Sequence, residues 1–229
     1  MMLLIKNAVI VHPGSKLNAK KRDVLIKNGK IDSIKTKIDP PSGKVEILEA
    51  KGAFLSIGWL DVGVQVGDPG YEHRETLQTA AAAAASGGFT GLACYPNVLP
   101  VTHSKSEVLY LKNAQNGAVD FFPIGAISQN CKGEDITEMY DMHEAGAIAF
   151  SDGKKSLQNG GVMMRALQYV KAFDGLIMNH PDDHSLSAGA QMHEGRTSTS
   201  LGMRGIPAIA EELMLQRDIY LLEYTESRL

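Results

Sequence analysis

The sequence predicts an α/β protein that begins with a small all-β segment. Short β-rich runs alternate with turn residues up to residue 57, and after Gly58 a strand, loop and helix pattern repeats. The repeat, about five units long, is typical of a parallel sheet with crossover helices, because parallel strands need a long connection. We therefore predict two domains, a β segment over residues 1–57 and an α/β part over residues 58–229.

The β segment has apolar runs at residues 3–5, 8–11, 23–26, 30–34 and 45–48. Turn residues separate these runs. Asn28-Gly29 suits the left-handed dihedral angles of a type I′ turn, so the third and fourth runs are predicted to form a hairpin.

The α/β part is predicted to hold five strand and helix pairs. The strands are expected at residues 59–66, 89–95, 119–127, 147–151 and 176–179, and the helices at 74–86, 104–116, 135–145, 162–173 and 207–224. Five units do not close a barrel of eight, so the sheet is either open and doubly wound or an incomplete barrel. The long segment 180–206 after the fifth strand favours the barrel slightly.

Composition excludes several classes of function. The net charge is −3 without a basic block, which argues against nucleic acid or an anionic membrane as a partner. No apolar stretch reaches the roughly 18–20 residues that span a bilayer. Two cysteines are too few for a disulfide framework, and a cytoplasmic protein is expected. The two common phosphate-binding loop patterns, G-x-x-x-x-G-K-[ST] and G-x-G-x-x-G, do not occur after a predicted strand. A nucleotide-dependent function therefore has little support.

Polar residues follow the predicted strands at their carboxyl ends, where parallel sheets bind ligands. They include Gln65, Asn97, Asp152 and His180. Each also has a structural interpretation. Asp152 before Gly153 could cap a turn, Asn97 could bond its own backbone, and His180 alone could be a loop histidine.

Several motifs occur in an order that resembles the dihydroorotases, which are cyclic amidohydrolases of the amidohydrolase superfamily. The motifs are Gly58-Trp59-Leu60-Asp61, Asp68-Pro69-Gly70-Tyr71-Glu72, Gly87-Gly88-Phe89-Thr90, Pro96-Asn97-Val98-Leu99-Pro100, Phe150-Ser151-Asp152-Gly153, Asn179-His180-Pro181-Asp182-Asp183 and Arg204-Gly205-Ile206-Pro207. The resemblance covers essentially the whole chain as the N-terminal part of a family member. It implies a (β/α)8 TIM-barrel type of fold, with about five βα units in this chain, and an N-terminal β-sandwich segment.

The chain departs from this family at its first metal motif. The resemblance implies H-x-H-x-R after the first barrel strand, with two zinc-binding histidines and an arginine for the substrate carboxylate, but Gly63, Gln65 and Gly67 occupy these positions. Glycine offers no ligand atom, a neutral amide is a poor zinc donor, and the bidentate clamp is lost. We expect no binuclear zinc centre, and either no zinc or one weakly held ion.

Other family positions persist. The resemblance assigns Asp152 and His180 to a partial metal site and Asn97 to substrate binding, while no catalytic residue can be assigned.

Two functions therefore remain open. The first is a dihydroorotase-like pseudoenzyme of de novo pyrimidine biosynthesis that serves as a structural partner, for example of aspartate carbamoyltransferase, and forms a homo-oligomer. The alternative is an active metal-dependent hydrolase with an altered site, which interconverts carbamoyl aspartate and dihydroorotate. The changes at Gly63, Gln65 and Gly67 favour the first.

Overall fold

The computed structural model describes residues 1–114 and 117–229 and shows two compact units, Met1–Gly58 and Trp59–Leu229. Within the described residues, no helix combines the length and apolar character that crossing a membrane requires.

The first unit is a five-stranded sheet. Its strands are β1 (Met2–Val11), β2 (Lys21–Lys27), β3 (Lys30–Lys35), β4 (Val45–Glu49) and β5 (Phe54–Ser56). The order is β3-β2-β1-β4, with β5 also paired to β1; β2 and β3 are antiparallel, whereas β4 and β5 run parallel to β1. Asn28 and Gly29 connect β2 to β3 with φ values of 50° and 75°, as a type I′ turn requires.

Both faces of the first sheet carry buried apolar side chains. Ile5 and Val24 belong to one cluster, and their neighbours Leu4 and Leu25 belong to another. This alternation follows from the two-residue period of a strand. The β-sandwich that the family resemblance implies stays a prediction, since the strands of this unit form one sheet.

The second unit contains a parallel sheet in the order β6-β7-β8-β9. Its strands are β6 (Trp59–Val64), β7 (Phe89–Cys94), β8 (Asp120–Gly125) and β9 (Ala149–Phe150). The connecting helices are α1 (Leu77–Ser86), α2 (Lys105–Asn113), α3 (Met139–Ala145) and α4 (Gly160–Lys171). The predicted alternation of parallel strands and helices is confirmed for these four strands.

Local sequence explains where these helices start. Thr76 caps α1 by accepting a hydrogen bond from Thr79, and Ser104 and Glu107 form a reciprocal capping box at α2. The core between α3, α4 and the sheet is filled by Phe150 and by the fully buried Met139, Met142 and Met163. These helices are therefore fixed by their caps and by an apolar face.

Two of the predicted elements differ clearly from those observed. Residues 176–179 form only a single parallel bridge, Phe150 to Ile177, instead of a full fifth strand. The predicted helix over 135–145 begins at Met139, because the preceding residues form a loop with a 3-10 turn at Gln129–Cys131. The predicted end of the second helix, residues 115–116, lies outside the described residues.

The segment after this bridge contains short elements and one long helix. They are α5 (His184–Ser187), β10 (Met192–His193), α6 (Arg196–Ser200), β11 (Gly205–Ile206) and α7 (Ile209–Thr225). Strands β10 and β11 pair in parallel with each other as a separate two-stranded sheet.

Candidate functional site

The candidate site lies at the carboxyl ends of the parallel strands. Gly63 and Gln65 lie at the end of β6, Asn97 follows β7, and Asp152 follows β9. Parallel strands bring these ends to one edge of the sheet, as the sequence analysis assumed.

The Asp152 carboxylate is buried and held by the loop after β8. One oxygen accepts hydrogen bonds from the backbone N–H groups of Ile127 and Ser128, each at 2.9 Å, and the other accepts from the Ser128 hydroxyl. The same hydroxyl accepts from the Gly133 N–H at 2.7 Å. Asp152 therefore joins the end of β9 to the β8 loop through three hydrogen bonds.

Burial dominates the electrostatics of Asp152. Loss of solvent raises the pKa of its carboxyl above the ordinary value, although the Ser128 and Ile127 donors and the charge of Lys155 act in the opposite direction. Asp152 is only 3% exposed. Because most of its acceptor capacity is used inside the protein, it is poorly placed to bridge two metal ions.

Asn97 braces the same region. Its amide nitrogen donates to the Asp152 backbone carbonyl at 3.1 Å and lies 3.7 Å from the Cys131 sulfur. Its amide oxygen lies against Gly153, which has a φ of 68° and where a Cβ atom would collide with that oxygen. Asn97 thus bonds to another loop, and the substrate-binding role that the resemblance implies remains a prediction.

Gly63 lies at an irregularity in the pairing of β6 with β7 and has a φ of 85°. A Cβ atom built on Gly63 would lie 2.9 Å from both Cζ and the hydroxyl oxygen of Tyr95. Gly67 is buried, and a Cβ atom there would meet the carbonyl oxygens of Tyr71 and Glu75. Neighbouring groups thus occupy the space beside both glycines.

Gln65 lines a cavity of about 110 Å³ together with Gly67, Tyr71, Arg74 and Asn97. The Arg74 guanidinium lies over the Tyr71 ring, 4.9 Å from its centroid.

His180 is exposed, whereas its neighbour Asn179 is fixed by the fold. Asn179 accepts a hydrogen bond from the Leu157 N–H at 3.1 Å and donates to the Asp218 carboxylate at 2.7 Å. Within this motif, Asn179 therefore has a structural role that connects Leu157 to Asp218. The metal role of His180 remains a prediction.

Arg217 and Asp218 form a network for which the sequence analysis predicted no role. Arg217 donates from Nε and Nη2 to one Asp218 oxygen at 2.9 and 2.7 Å. It also donates to the carbonyl oxygens of Leu157 and Gln158, both at 2.8 Å. The Arg-Asp pair on a helix was a visible signal, but its partners sixty residues away in the chain could only be found from the fold.

A second cavity of about 200 Å³ was also not predicted. Its lining includes Cys131, Lys132, Asp152, Lys155 and His184. Burial, followed by the nearby Asp152 charge, raises the pKa of the Cys131 thiol to about 12. The Cys131 thiol is consequently protonated at neutral pH.

The residues present do not fit the binuclear zinc centre that the family resemblance implies. Gly63 has no ligand atom, and Gln65 is a neutral amide. The Asp152 carboxylate already accepts hydrogen bonds from Ile127 and Ser128. Across residues 1–114 and 117–229, no three His, Cys, Asp or Glu side chains are grouped to hold one metal ion.

Several solved structures with a similar fold are hydantoinases. L-Hydantoinase (dihydropyrimidinase) from Arthrobacter aurescens matches with a TM-score of 0.82 at 22% identity, over 99% of this chain and 51% of that one. A crystal structure of a dihydroorotase matches with a TM-score of 0.55 at 13% identity, over 99% of this chain and 63% of that one. The second unit is thus a curled parallel half-barrel of the kind found in hydantoinases.

Sequence comparison identifies the family to which the chain belongs. The family model described as Dihydro-orotase-like matches residues 52–228. A dihydroorotase of Pelotomaculum thermopropionicum is 45% identical over 100% of this chain and 53% of its own length, and one of Syntrophus aciditrophicus is 40% identical over 100% and 54%. The chain belongs to the dihydroorotase-like family, which confirms the resemblance, and it spans about half the length of these curated relatives.

Proposed function

We propose that this chain is part of a dihydroorotase-like protein of pyrimidine biosynthesis that has lost ring hydrolysis and serves as a structural partner in an enzyme assembly. One observation carries the proposal. Gly63 and Gln65 stand where the family resemblance requires two metal-binding histidines. Without them no metal pair can activate water and polarise the amide carbonyl, which is the chemistry that the family reaction needs.

The pattern of what is kept supports the same proposal. Asp152 and Asn97, which the resemblance assigns to family positions, both make hydrogen bonds that hold loops of the half-barrel together. The three changed positions are those assigned to metal and substrate carboxylate. A protein retained for its fold and surface would keep the residues that connect its loops. It would tolerate the loss of residues needed only for metal and substrate.

The proposal includes the complete architecture and its partner. The half-barrel would belong to a (β/α)8 barrel with a β-sandwich built on the five-stranded sheet. The protein would be a cytoplasmic homo-oligomer that binds aspartate carbamoyltransferase, with no nucleic-acid or membrane partner.

An active hydrolase with an altered metal site is the second candidate. It is favoured by the persistence of Asp152, His180 and Asn97, which the resemblance assigns to metal and substrate. In that case a single ion at Asp152 and His180 would have to supply the family chemistry.

Co-purification with aspartate carbamoyltransferase, combined with a ring-opening assay on the same fractions, separates the two candidates. The protein should be tested at its natural length, with the dihydroorotase of Pelotomaculum thermopropionicum as the active control. We expect a complex with the transcarbamoylase and no turnover of dihydroorotate or carbamoyl aspartate. Turnover above the solution rate in the unmodified protein, with no partner bound, would overturn the proposal.

A further inference from the structure

The side chain of Tyr95 lies at the end of β7, close to the position of the first missing histidine. Tyr95 directly follows β7, and its backbone N–H donates to the Val64 carbonyl at 2.9 Å. Side chains two residues apart on a strand share a face, so Tyr95 lies on the same face as Ala93. Ala93, Ile124 and Ala149 form a buried cluster against which Tyr95 packs. The ring therefore lies on the inner face of the half-barrel.

On that face the ring lies beside Gly63. The Cζ and hydroxyl oxygen of Tyr95 are 2.9 Å, and its Cε2 3.0 Å, from the place of a Cβ atom on residue 63. Real Cβ atoms are not found so close to other heavy atoms, so any side chain at residue 63 would require the half-buried ring to move. The φ of 85° at Gly63 adds a separate cost for any residue with a Cβ atom.

We propose that Tyr95 is an internal plug, a side chain that fills the space from which a metal-binding side chain at position 63 would extend. The site is then closed to metal by the Tyr95 ring as well as by the absence of histidines at positions 63 and 65. This inference rests on the proposed function, since it concerns the same site. It also means that restoring ligand residues alone does not restore metal binding while Tyr95 is present.

The first test measures the coupling between Gly63 and Tyr95 in the natural-length protein. Gly88 is the matched control because its φ is 82° and nothing lies within 4 Å of a Cβ atom there. Gly63→Ala should lower the midpoint of thermal unfolding at least about twice as far as Gly88→Ala. In a Tyr95→Ala background the two glycine substitutions should have equal effects.

The second test measures zinc affinity by calorimetry. The Gly63→His/Gln65→His variant should bind zinc no more tightly than the unmodified protein. Adding Tyr95→Ala should tighten zinc binding at least about tenfold, which corresponds to about 1.4 kcal/mol of binding free energy. Adding Tyr224→Ala instead, a substitution at a tyrosine that is 74% exposed, should change nothing.

Two results would each overturn the plug. One is an equal effect of Gly63→Ala and Gly88→Ala while Tyr95 is present, and the other is equal zinc affinity with and without Tyr95 in the histidine-bearing variant. The stability test does not depend on whether the histidine-bearing variants fold. Turnover by the unmodified protein would defeat the proposed function, whereas the Gly63 and Tyr95 coupling would still decide the present inference.

Discussion

The carboxylate of Asp152 accepts hydrogen bonds from both the backbone N–H and the hydroxyl of Ser128. Through this pair the loop after β9 is tied to the loop after β8 at the edge of the sheet where the candidate site lies. The residue that the family resemblance assigns to a metal is thus part of the internal framework of this chain.

Replacing Asp152 should therefore destabilise the half-barrel. Asp152→Ala leaves the Ile127 and Ser128 donors without a partner in a buried place, and we expect a loss of about 2–4 kcal/mol in the free energy of unfolding. Urea unfolding measures this loss. Glu134→Ala, at an exposed residue of the neighbouring loop, should change stability by no more than about 0.5 kcal/mol. Equal effects of the two substitutions, or a loss seen only with zinc present, would contradict the framework role.

Asp23 should make the first sheet sensitive to acid. Burial alone would raise the pKa of its carboxyl, but N–H donors of Asn7 and Ile38, each at 2.9 Å, together lower that pKa. A carboxyl with a folded pKa below its unfolded value of about 3.9 binds fewer protons in the folded state. Its contribution to stability is therefore present above that value and is lost as the pH falls through the folded pKa.

The Asp23→Asn substitution should reduce the decrease in stability of the first sheet as the pH falls. Hydrogen exchange of the Asn7 and Ile38 amides, followed from about pH 6 to about pH 3 after correction for the intrinsic rate, reports the local stability. We expect protection to fall on acidification in the unmodified protein and to change less in the variant. Parallel pH profiles in the two proteins would show that Asp23 does not control the sheet.

The buried carboxylate of Asp218 should depend on Arg217 for its stabilisation. Asp218 is 2% exposed, and Arg217→Met would remove two of its charged hydrogen bonds together with those to Leu157 and Gln158. We expect a loss of about 3 kcal/mol in unfolding free energy, since an unpaired buried charge is costly. Arg217→Lys should recover little of it, because an ammonium cannot reproduce the planar fork.

The control for charge is the double variant Arg217→Met/Asp218→Asn, measured beside the single variant Asp218→Asn. Removing the carboxylate charge should recover part of the stability lost in Arg217→Met. If the double variant is as unstable as the sum of both single changes, the pair is not coupled and the explanation fails.

The sequence was sufficient for the features that depend on local patterns. The strand and helix repeat predicted the parallel order of β6 to β9, and Asn28-Gly29 predicted the hairpin turn. The fifth strand was not found as a strand, because its pairing is a single bridge at Ile177. Propensity over residues 176–179 cannot reveal how many partners a neighbouring strand offers.

The candidate site was predictable only as a set of positions. The strand ends located Gln65, Asn97 and Asp152, but the sequence could not show which atoms each side chain contacts. The bonds of Asp152 to Ile127 and Ser128 join different loops, and Tyr95 meets Gly63 across two strands. Such contacts depend on register and on a backbone φ of 85°, neither of which the residue pattern specifies.

The ring-opening rate of dihydroorotate, measured on the natural-length protein with zinc in excess, tests the central claim most directly. With glycine and glutamine at positions 63 and 65 and the Tyr95 ring beside Gly63, we predict a rate equal to that of the solution without protein. A rate that rises in proportion to protein concentration and is abolished by His180→Ala would show that the site hydrolyses the ring and would contradict the account.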